Sequence, residues 1–433
     1  MKKEVSIFWF RRDLRLFDNN ALFNALTGKY PVLPIFIFDP DILDKLSDKK
    51  DKRVEFIRQT LEQLNKILKQ SGSSIYVLHE KVEKAFDKLA EEYTIKEVYA
   101  NHDYEPYAIN RDLIIKAQLE SKNIIFKTFK DQVIFEKSEV MKSDGTPYTI
   151  FTPYSRKWKE KFNQQPLINF SSELHFSSFY KYLDFSIPSL KDIGFENTNL
   201  DLPEPIITEE RIRNYQETRN LPSVEGTSQI SVQLRFGTVS VRHLVKLALN
   251  WNEQWLNELI WREFFMMILF HFPNVVSQSF KKKYDKIQWR NNEKEFEAWC
   301  KGETGYPIVD AGMRQLNETG LMHNRVRMIT AGFLCKHLLI DWRWGEAYFA
   351  QKLLDYELSS NNGNWQWAAG SGCDSAPYFR IFNPTAQTLK FDPKLKYIKT
   401  WIKDFRVDYL LPVVDHEFGR KRALEVYKRA VNE

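Results

Sequence analysis

"VSIFWF", residues 5–10, is a short run of β-branched and aromatic residues broken only by Ser6, and the charged loop "RRDLRLFDN" follows it at 11–19. A run this short and this apolar reads as a strand buried on both faces rather than as a helix. Similar runs recur at 32–39 ("VLPIFIFD"), 74–80 ("SIYVLHE"), 96–103 ("KEVYANHD") and 124–135 ("IIFKTFKDQVIF"). Between them lie stretches such as "RVEFIRQTLEQLNKILKQ" (53–70) and "NRDLIIKAQLESKN" (110–123), whose apolar residues repeat at three- and four-residue intervals. Short apolar strands alternating with amphipathic helices predict an α/β domain, a doubly wound, Rossmann-like parallel sheet with any ligand near the carboxyl ends of its strands. No G-x-G-x-x-G follows the first strand, so the plain dinucleotide fingerprint is absent; the charged loop in its place reads as a surface segment or an interdomain contact.

Downstream, the chain from about 165 to 205 becomes Ser- and Pro-rich without a sustained period and reads as a connector. Beyond it nearly every segment scans as helix, including 207–220, 240–250, 254–272, 306–320, 323–340 and 344–360. Pro307 near one helix start and Gly320 just past its end fit the usual asymmetry of helix termini. The expected organisation is an α/β domain over 1–130, a connector over 131–205 and an all-α domain over 206–433.

Two domains also suit a chain of 433 residues, and 43% hydrophobic with 28% charged residues describes a globular protein able to bury a large core. No run of about 18 apolar residues occurs and no signal-peptide h-region opens the chain, so a cytoplasmic protein without membrane association is expected. Cys300, Cys335 and Cys373 form no C-x-x-C pair, which supports neither a zinc site nor a disulfide framework, and no metal is expected. A net charge of +6 is compatible with a phosphate-bearing partner without demanding one. The tryptophans separate the two halves more sharply, because ten of the twelve lie after residue 250.

Four segments of the second half could carry chemistry. In "ELIWREFF", Glu258, Trp261, Arg262 and Phe265 stand at helical spacing, so one face carries an acid, a large ring and a base. They form either a surface Glu258–Arg262 pair or one wall of a cavity for something flat with polar edges. In "HNRVRMITAGF", Asn324, Arg327 and Met328 share a face with Arg325 nearby; two arginines in an apolar helix need anionic partners, and Asp355 is a candidate. In "VEGTSQIS", Thr227, Ser228 and Ser231 sit in a polar turn that reads as an ordinary cap or as a phosphate site. In "NNGNWQWAAG" (361–370), Trp365 and Trp367 would point to nearly opposite sides of a helix, with the preceding "NNGN" read as a loop and Asn364 as the N-cap.

Together with "WFRRDLRLFDN", "FTPY", "TGYPIVDAGMRQLNETGLMHNRVRMITAGFL", "LLIDWRWGEAYF" and "APYFRIFNPTAQ", these segments resemble the photolyase/cryptochrome family, and within it the class I cyclobutane pyrimidine dimer DNA photolyases. The resemblance covers essentially the whole chain. It implies that the N-terminal sheet is an antenna domain and that the helical domain holds FAD.

Carried over by resemblance, Tyr215, Thr227, Ser228, Gln229, Ile230 and Ser231 are flavin phosphate and ribityl contacts. Trp255, Arg327, Asp355, Tyr356, Glu357 and Asn361 surround the rest of the cofactor, with Asn361 at flavin N5. Glu258, Trp261, Asn324, Met328 and Trp367 match the lining of the dimer pocket, and Arg219, Arg262, Arg325, Arg380 and Gln387 fall at or near DNA-contacting positions. Trp365 matches the flavin-proximal member of an electron-transfer chain continued by Trp342 and Trp289. The two rings of "NWQW" would thus serve two ligands.

Three positions depart mildly from the family pattern: Leu321 replaces a tryptophan, Asn364 a glycine and Glu357 an aspartate. In the N-terminal half, "YEPYAINRD" lacks the Asn-Glu pair expected where folate-type antennae bind, which leaves the identity of a second, antenna chromophore open. The activity implied is light-driven splitting of cyclobutane pyrimidine dimers in UV-damaged DNA by an electron from excited, reduced FAD, by a protein expected to act as a monomer. The rivals are a cryptochrome-type blue-light photoreceptor, against which Asn361 and Trp367 argue, and a (6-4) photolyase, whose paired pocket histidines are replaced here by Asn324 and Met328. A generic electron-transfer flavoprotein would leave the tryptophan series unexplained.

Overall fold

The computed structural model describes residues 2–406 and 409–432. Five strands, β1 (Glu4–Phe10), β2 (Val32–Phe38), β3 (Tyr76–His79), β4 (Thr94–Asn101) and β5 (Ile125–Phe129), pair in parallel in the order β3-β2-β1-β4-β5. Helices α1 (Asn20–Leu26), a single-turn α2 (Pro40–Leu43), α3 (Lys52–Gln70), α4 (Val82–Glu92) and α5 (Pro106–Ser121) make the connections. This is the doubly wound α/β arrangement that the alternating runs predict. β1 lies between β2 and β4, with Ile7 opposite Leu33 and Val98, and every residue of β2 is buried. Parallel strands covered on both faces must be apolar on both, which is why these runs do not alternate. The segment read as a strand over 124–135 is shorter, because the chain leaves the sheet after Phe129.

Two compact units make up the chain: Met1–Glu136 with Lys161–Pro205 and Gln229–Asn250, and Lys137–Glu160 with Ile206–Ser228 and Trp251–Glu433. The segment 161–205 is seated on the sheet unit: Tyr180 N–H donates to the Val32 carbonyl at 2.8 Å, and the Phe185 ring stacks on Tyr76 at 4.3 Å.

"RRDLRLFDN" is not a surface segment. Asp13 accepts from Asn101 Nδ2 at 2.6 Å, Asn19 caps α1 while accepting from the same amide at 2.8 Å, and Arg15 meets Asp131 at 2.6 Å. Asp131 also receives Arg242 at 2.9 Å, and the two guanidiniums hold its carboxyl below the usual range against the opposing effect of burial. Charges this deep are tolerated only when paired and hydrogen-bonded.

The second unit is helical. Its principal helices are Phe151–Phe162, Glu253–His271, Pro307–Thr319, Asn324–Gly332, Trp342–Lys352, Leu358–Ala369 and His416–Asn432. Pro307 opens one of them and Gly320 closes it in the left-handed conformation at φ 75°, where a side chain would be strained. A π-helical turn, Phe333–His337, continues Asn324–Gly332, a local widening of the helix that often marks functional regions.

Candidate active site

The helix Leu358–Ala369 fixes much of the site. Its start differs from the sequence reading: Glu357 is the N-cap, its carboxylate accepting from the backbone N–H groups of Ser359 and Ser360, and Asn364 lies inside the helix. "NNGN" is therefore helical. Asn361 and Asn362 are buried, and tertiary packing overrides their weak helix propensity.

With this helix, Asn324–Gly332 and the turn after Trp342–Lys352 line a cleft. Its walls include Asn324, Arg327, Met328, Asp355, Tyr356, Glu357, Asn361, Trp365 and Trp367, nine of the residues singled out from sequence. A concave, largely apolar site with a few convergent polar groups suits an organic cofactor.

Arg327 donates to Asp355 Oδ2 at 2.8 Å and, through Nε, to the Met322 carbonyl at 2.8 Å, so the expected partnership is present. The other carboxylate oxygen, Asp355 Oδ1, is buried and has no hydrogen-bond partner among the described residues. Asn361 donates to Glu346 Oε1 at 2.8 Å, and burial pushes the Glu346 carboxyl above its ordinary range while that hydrogen bond pulls the other way. At the start of Asn324–Gly332, His323 accepts from the Arg325 N–H as N-cap; burial, then the cations of Arg327 and Arg325, bring its pKa down to about 4.

Trp365 and Trp367 diverge as the helical spacing requires. Trp365 is 2% exposed and packs edge-on against Phe349 at 4.9 Å and Trp299 at 6.1 Å. Trp367 is half-buried and also borders a small second pocket with Met328, Lys336 and Arg380. Trp342 is buried in the same apolar cluster as Trp365, and Trp289 packs at its margin, partly exposed and edge-on to Tyr427 at 5.9 Å.

Glu258 and Trp261 are not among the residues lining that cleft. Glu258 is held by Arg219 at 2.5 Å and by Gln254 Nε2 at 2.9 Å, and Arg219 lies over the Tyr215 ring at 5.5 Å. Burial, then the Glu258 charge, raises the Tyr215 pKa. Trp261 stacks flat on Phe151 at 3.8 Å with an interplanar angle of 5°, which locks its ring. Arg262, half-buried, follows it on the same helix.

Trp255 Nε1 donates to Ser228 Oγ at 3.3 Å, and Thr227 precedes that serine. Gln229, Ile230 and Ser231 belong to the sheet unit, where Ser231 opens a six-residue helix. Arg325 donates to Asn220 Oδ1 at 2.7 Å and lies over Phe391 at 4.5 Å. Arg380 is exposed and Gln387, in the helix Pro384–Phe391, half-exposed.

Sequence reasoning missed Glu346, Phe151, Asn220, Lys336 and Trp299. Glu346, a lone acid between "WRWG" and "AYF", was the one with a visible signal; the others meet their partners only through tertiary structure.

Comparison with known proteins adds an independent line. Residues 6–170 match the family model for DNA photolyase and residues 255–407 that for the FAD binding domain of DNA photolyase. The deoxyribodipyrimidine photo-lyase of Alkalihalophilus pseudofirmus is 36% identical over 475 aligned positions, covering 97% of each chain. Among solved structures, a class III photolyase from Agrobacterium tumefaciens superposes with a TM-score of 0.88 at 32% identity, covering 100% of this chain and 99% of that one. An archaeal photolyase from Sulfolobus tokodaii, solved with two FAD molecules, gives 0.83 at 33% identity, covering 98% and 100%. A Synechocystis cryptochrome gives 0.85 at 25% identity, covering 98% and 99%.

Proposed function

The chain belongs to the DNA photolyase family, and from that premise we infer that it is a deoxyribodipyrimidine photo-lyase that repairs cyclobutane pyrimidine dimers in UV-damaged DNA under blue or near-UV light. The observation that carries the reading is the Arg327–Asp355 pair, set in the wall of the cleft beside Asn361 and Trp365, with one carboxylate oxygen buried and still unpartnered. A buried polar atom without a partner costs free energy, and a flavin N–H is a donor of the kind it lacks. Reduced FAD, when bound and excited, supplies the electron that opens the dimer.

The protein's part is positioning. Arg327, Asp355, Tyr356, Glu357 and Asn361 would hold the flavin ring, with the Asn361 amide oriented by Glu346. Tyr215, Thr227, Ser228, Gln229, Ile230 and Ser231 would take the phosphate and ribityl portion, and Trp255 would stand with the residues around the rest of the cofactor. The dimer leaves the duplex, as enzymes acting on bases require. Its rings then lie against Trp261, Met328 and Trp367, while Glu258 and Asn324 hydrogen-bond its edges. The stack on Phe151 keeps Trp261 flat for that role. Arg219, Arg262, Arg325, Arg380 and Gln387 bind the DNA strand. Trp365, Trp342 and Trp289 would relay electrons toward the cofactor.

The sheet unit is the antenna domain, and a second chromophore such as the one in the archaeal structure would belong there. No helix among the described residues is long and apolar enough to cross a membrane, and the enzyme acts as a cytoplasmic monomer. The test is direct: purified protein, its FAD content measured, is illuminated with DNA carrying both cyclobutane and (6-4) photoproducts, and the lesions are separated by chromatography. Loss of cyclobutane dimers alone is expected. Selective loss of (6-4) lesions, or bound FAD without loss of either lesion, would overturn the assignment.

A further inference from the structure

The carboxyl ends of β4 and β5 carry a set of side chains that the flavin and DNA chemistry does not use. His102 directly follows β4, Thr128 lies near the end of β5, an edge strand of the sheet, and Glu136 comes after the loop that leaves β5. His102 Nδ1 and Glu136 Oε2 are 2.8 Å apart, and His102 Nε2 and Thr128 Oγ1 are 2.9 Å apart. A carboxylate only accepts, so Glu136 accepts from the Nδ1–H; in the neutral imidazole that leaves Nε2 bare, to accept from the Thr128 hydroxyl. The result is a carboxylate, an imidazole and an alcohol in series, the order in which acyl-transfer enzymes activate a hydroxyl.

More than these two bonds hold the imidazole. The His102 backbone N–H donates to the Phe129 carbonyl at 2.7 Å, Gln132 Nε2 donates to the His102 carbonyl at 2.7 Å, and the Tyr104 hydroxyl donates to the same Glu136 oxygen at 2.7 Å. A hydroxyl–base hydrogen bond together with a base–orienter hydrogen bond is the geometric requirement for an activated nucleophile. Stability does not call for the arrangement. The His102 and Glu136 side chains are 21% and 15% exposed and Thr128 is exposed, so each group has access to water without the others. The position does suit chemistry, because parallel α/β sheets hold their ligands outside the carboxyl ends of the strands.

We propose that Thr128 is an acyl-accepting nucleophile, with His102 as its general base and Glu136 as the residue that positions the imidazole, and that the sheet unit hydrolyses small activated esters in the dark. The Thr128 proton passes to His102 Nε2 as Oγ1 bonds to the ester carbonyl carbon. The bond from that carbon to the alkoxy or phenoxy oxygen then breaks, and the leaving group departs with the proton from His102. Water, deprotonated by the same nitrogen, attacks the acyl-threonine, which releases the carboxylic acid and restores the hydroxyl. Light, flavin and DNA take no part, and no oxidant or reductant is needed. The exposure of Thr128 suits small acyl donors arriving from solution.

The experiment gives p-nitrophenyl acetate to the full-length protein in the dark and follows release of nitrophenolate; acid-quenched samples are digested and mapped by mass spectrometry for acetyl groups. Wild type, Thr128→Val, Thr128→Ser, His102→Gln and Glu136→Gln are compared, with melting temperatures measured to show that each fold is kept. Wild type is expected to turn the ester over and to carry acetyl on Thr128. Thr128→Val, nearly isosteric and suited to a strand, should lose both turnover and label, while Thr128→Ser should keep both. His102→Gln should slow turnover by about a hundredfold, the lower end for general-base catalysis. Glu136→Gln, which removes the charge that supports the imidazolium, should lower kcat with KM unchanged. Turnover in Thr128→Val equal to that of wild type, or acetyl confined to lysines or to His102, overturns the assignment.

Discussion

Arg219 and Glu258, a residue assigned to DNA and one assigned to the dimer, are joined by a 2.5 Å ion pair. DNA phosphates would compete for the guanidinium, and its departure would leave the carboxylate free to meet the pyrimidines. Their side chains are 21% and 30% exposed, so the pair contributes only about 0–1 kcal/mol to the fold. Arg219→Ala should therefore fold normally and bind dimer-containing DNA more weakly, with the log–log salt slope reduced by about one. Glu258→Gln should keep the binding and its salt slope but lower the repair yield per photon. Filter binding over a salt series checks the first statement; an unchanged slope in Arg219→Ala refutes it.

Asp355→Ala removes the carboxylate from Arg327 and the unpartnered oxygen from the cleft together. Breaking a fully buried pair costs about 3–5 kcal/mol, but Arg327 is 27% exposed, so a loss of about 1–3 kcal/mol is expected here. The purified variant should hold little FAD. Urea unfolding and flavin stoichiometry measure the two effects, and normal FAD retention would count against Asp355 as a cofactor contact.

Gly345→Ala tests how tightly Trp365 is seated. A methyl group there would stand 2.1 Å from Trp365 Cη2 and 2.6 Å from Leu334 Cδ2, and a rigid indole can yield only by moving as a whole. Overpacking of this kind costs about 1–3 kcal/mol. A lower melting temperature is expected, together with slower photoreduction as the ring leaves its position beside Phe349. Wild-type values for both would show that the helix carrying Gly345 shifts freely.

Lys336 predicts a pH dependence. It is buried, donating to the Ala369 carbonyl at 2.7 Å with its ammonium 3.6 Å from the Tyr427 ring, and burial brings its pKa down to about 7 despite both favourable contacts. Between about pH 7 and the ordinary lysine value of 10.5 the unfolded chain binds the extra proton, so stability contributed by this group rises with pH across that window and is lowest below it. Lys336→Met should abolish that rise. Urea midpoints from pH 6 to 9, wild type against variant, give the comparison; parallel curves would contradict the assignment.

What the sequence made legible was local. The parallel sheet followed from strand runs whose apolar character extends over both faces, and Arg327 with Asp355 from the need of a buried cation for an anion. Asn364 was misread as a cap because "NNG" has low helix propensity and the true cap, Glu357, is not of the preferred type. The Glu346–Asn361, Arg219–Glu258 and Phe151–Trp261 partnerships were invisible. Each depends on how separate elements pack, which no spacing along the chain encodes.

Asp131 closes β5's exit loop deep in the sheet unit, and one of its two cations, Arg242, lies 111 residues farther along the chain. On a ribosome the five strands are therefore complete long before their buried charge is balanced. Until translation passes Arg242, the nascent sheet carries a carboxylate whose one other ion-pair partner among the described residues is Arg15, and the intervening helical segments emerge while that unit is still unfinished. A gene cut at residue 205 would yield a sheet missing that clasp, so separating the two units by simple truncation works against the order in which this chain is assembled.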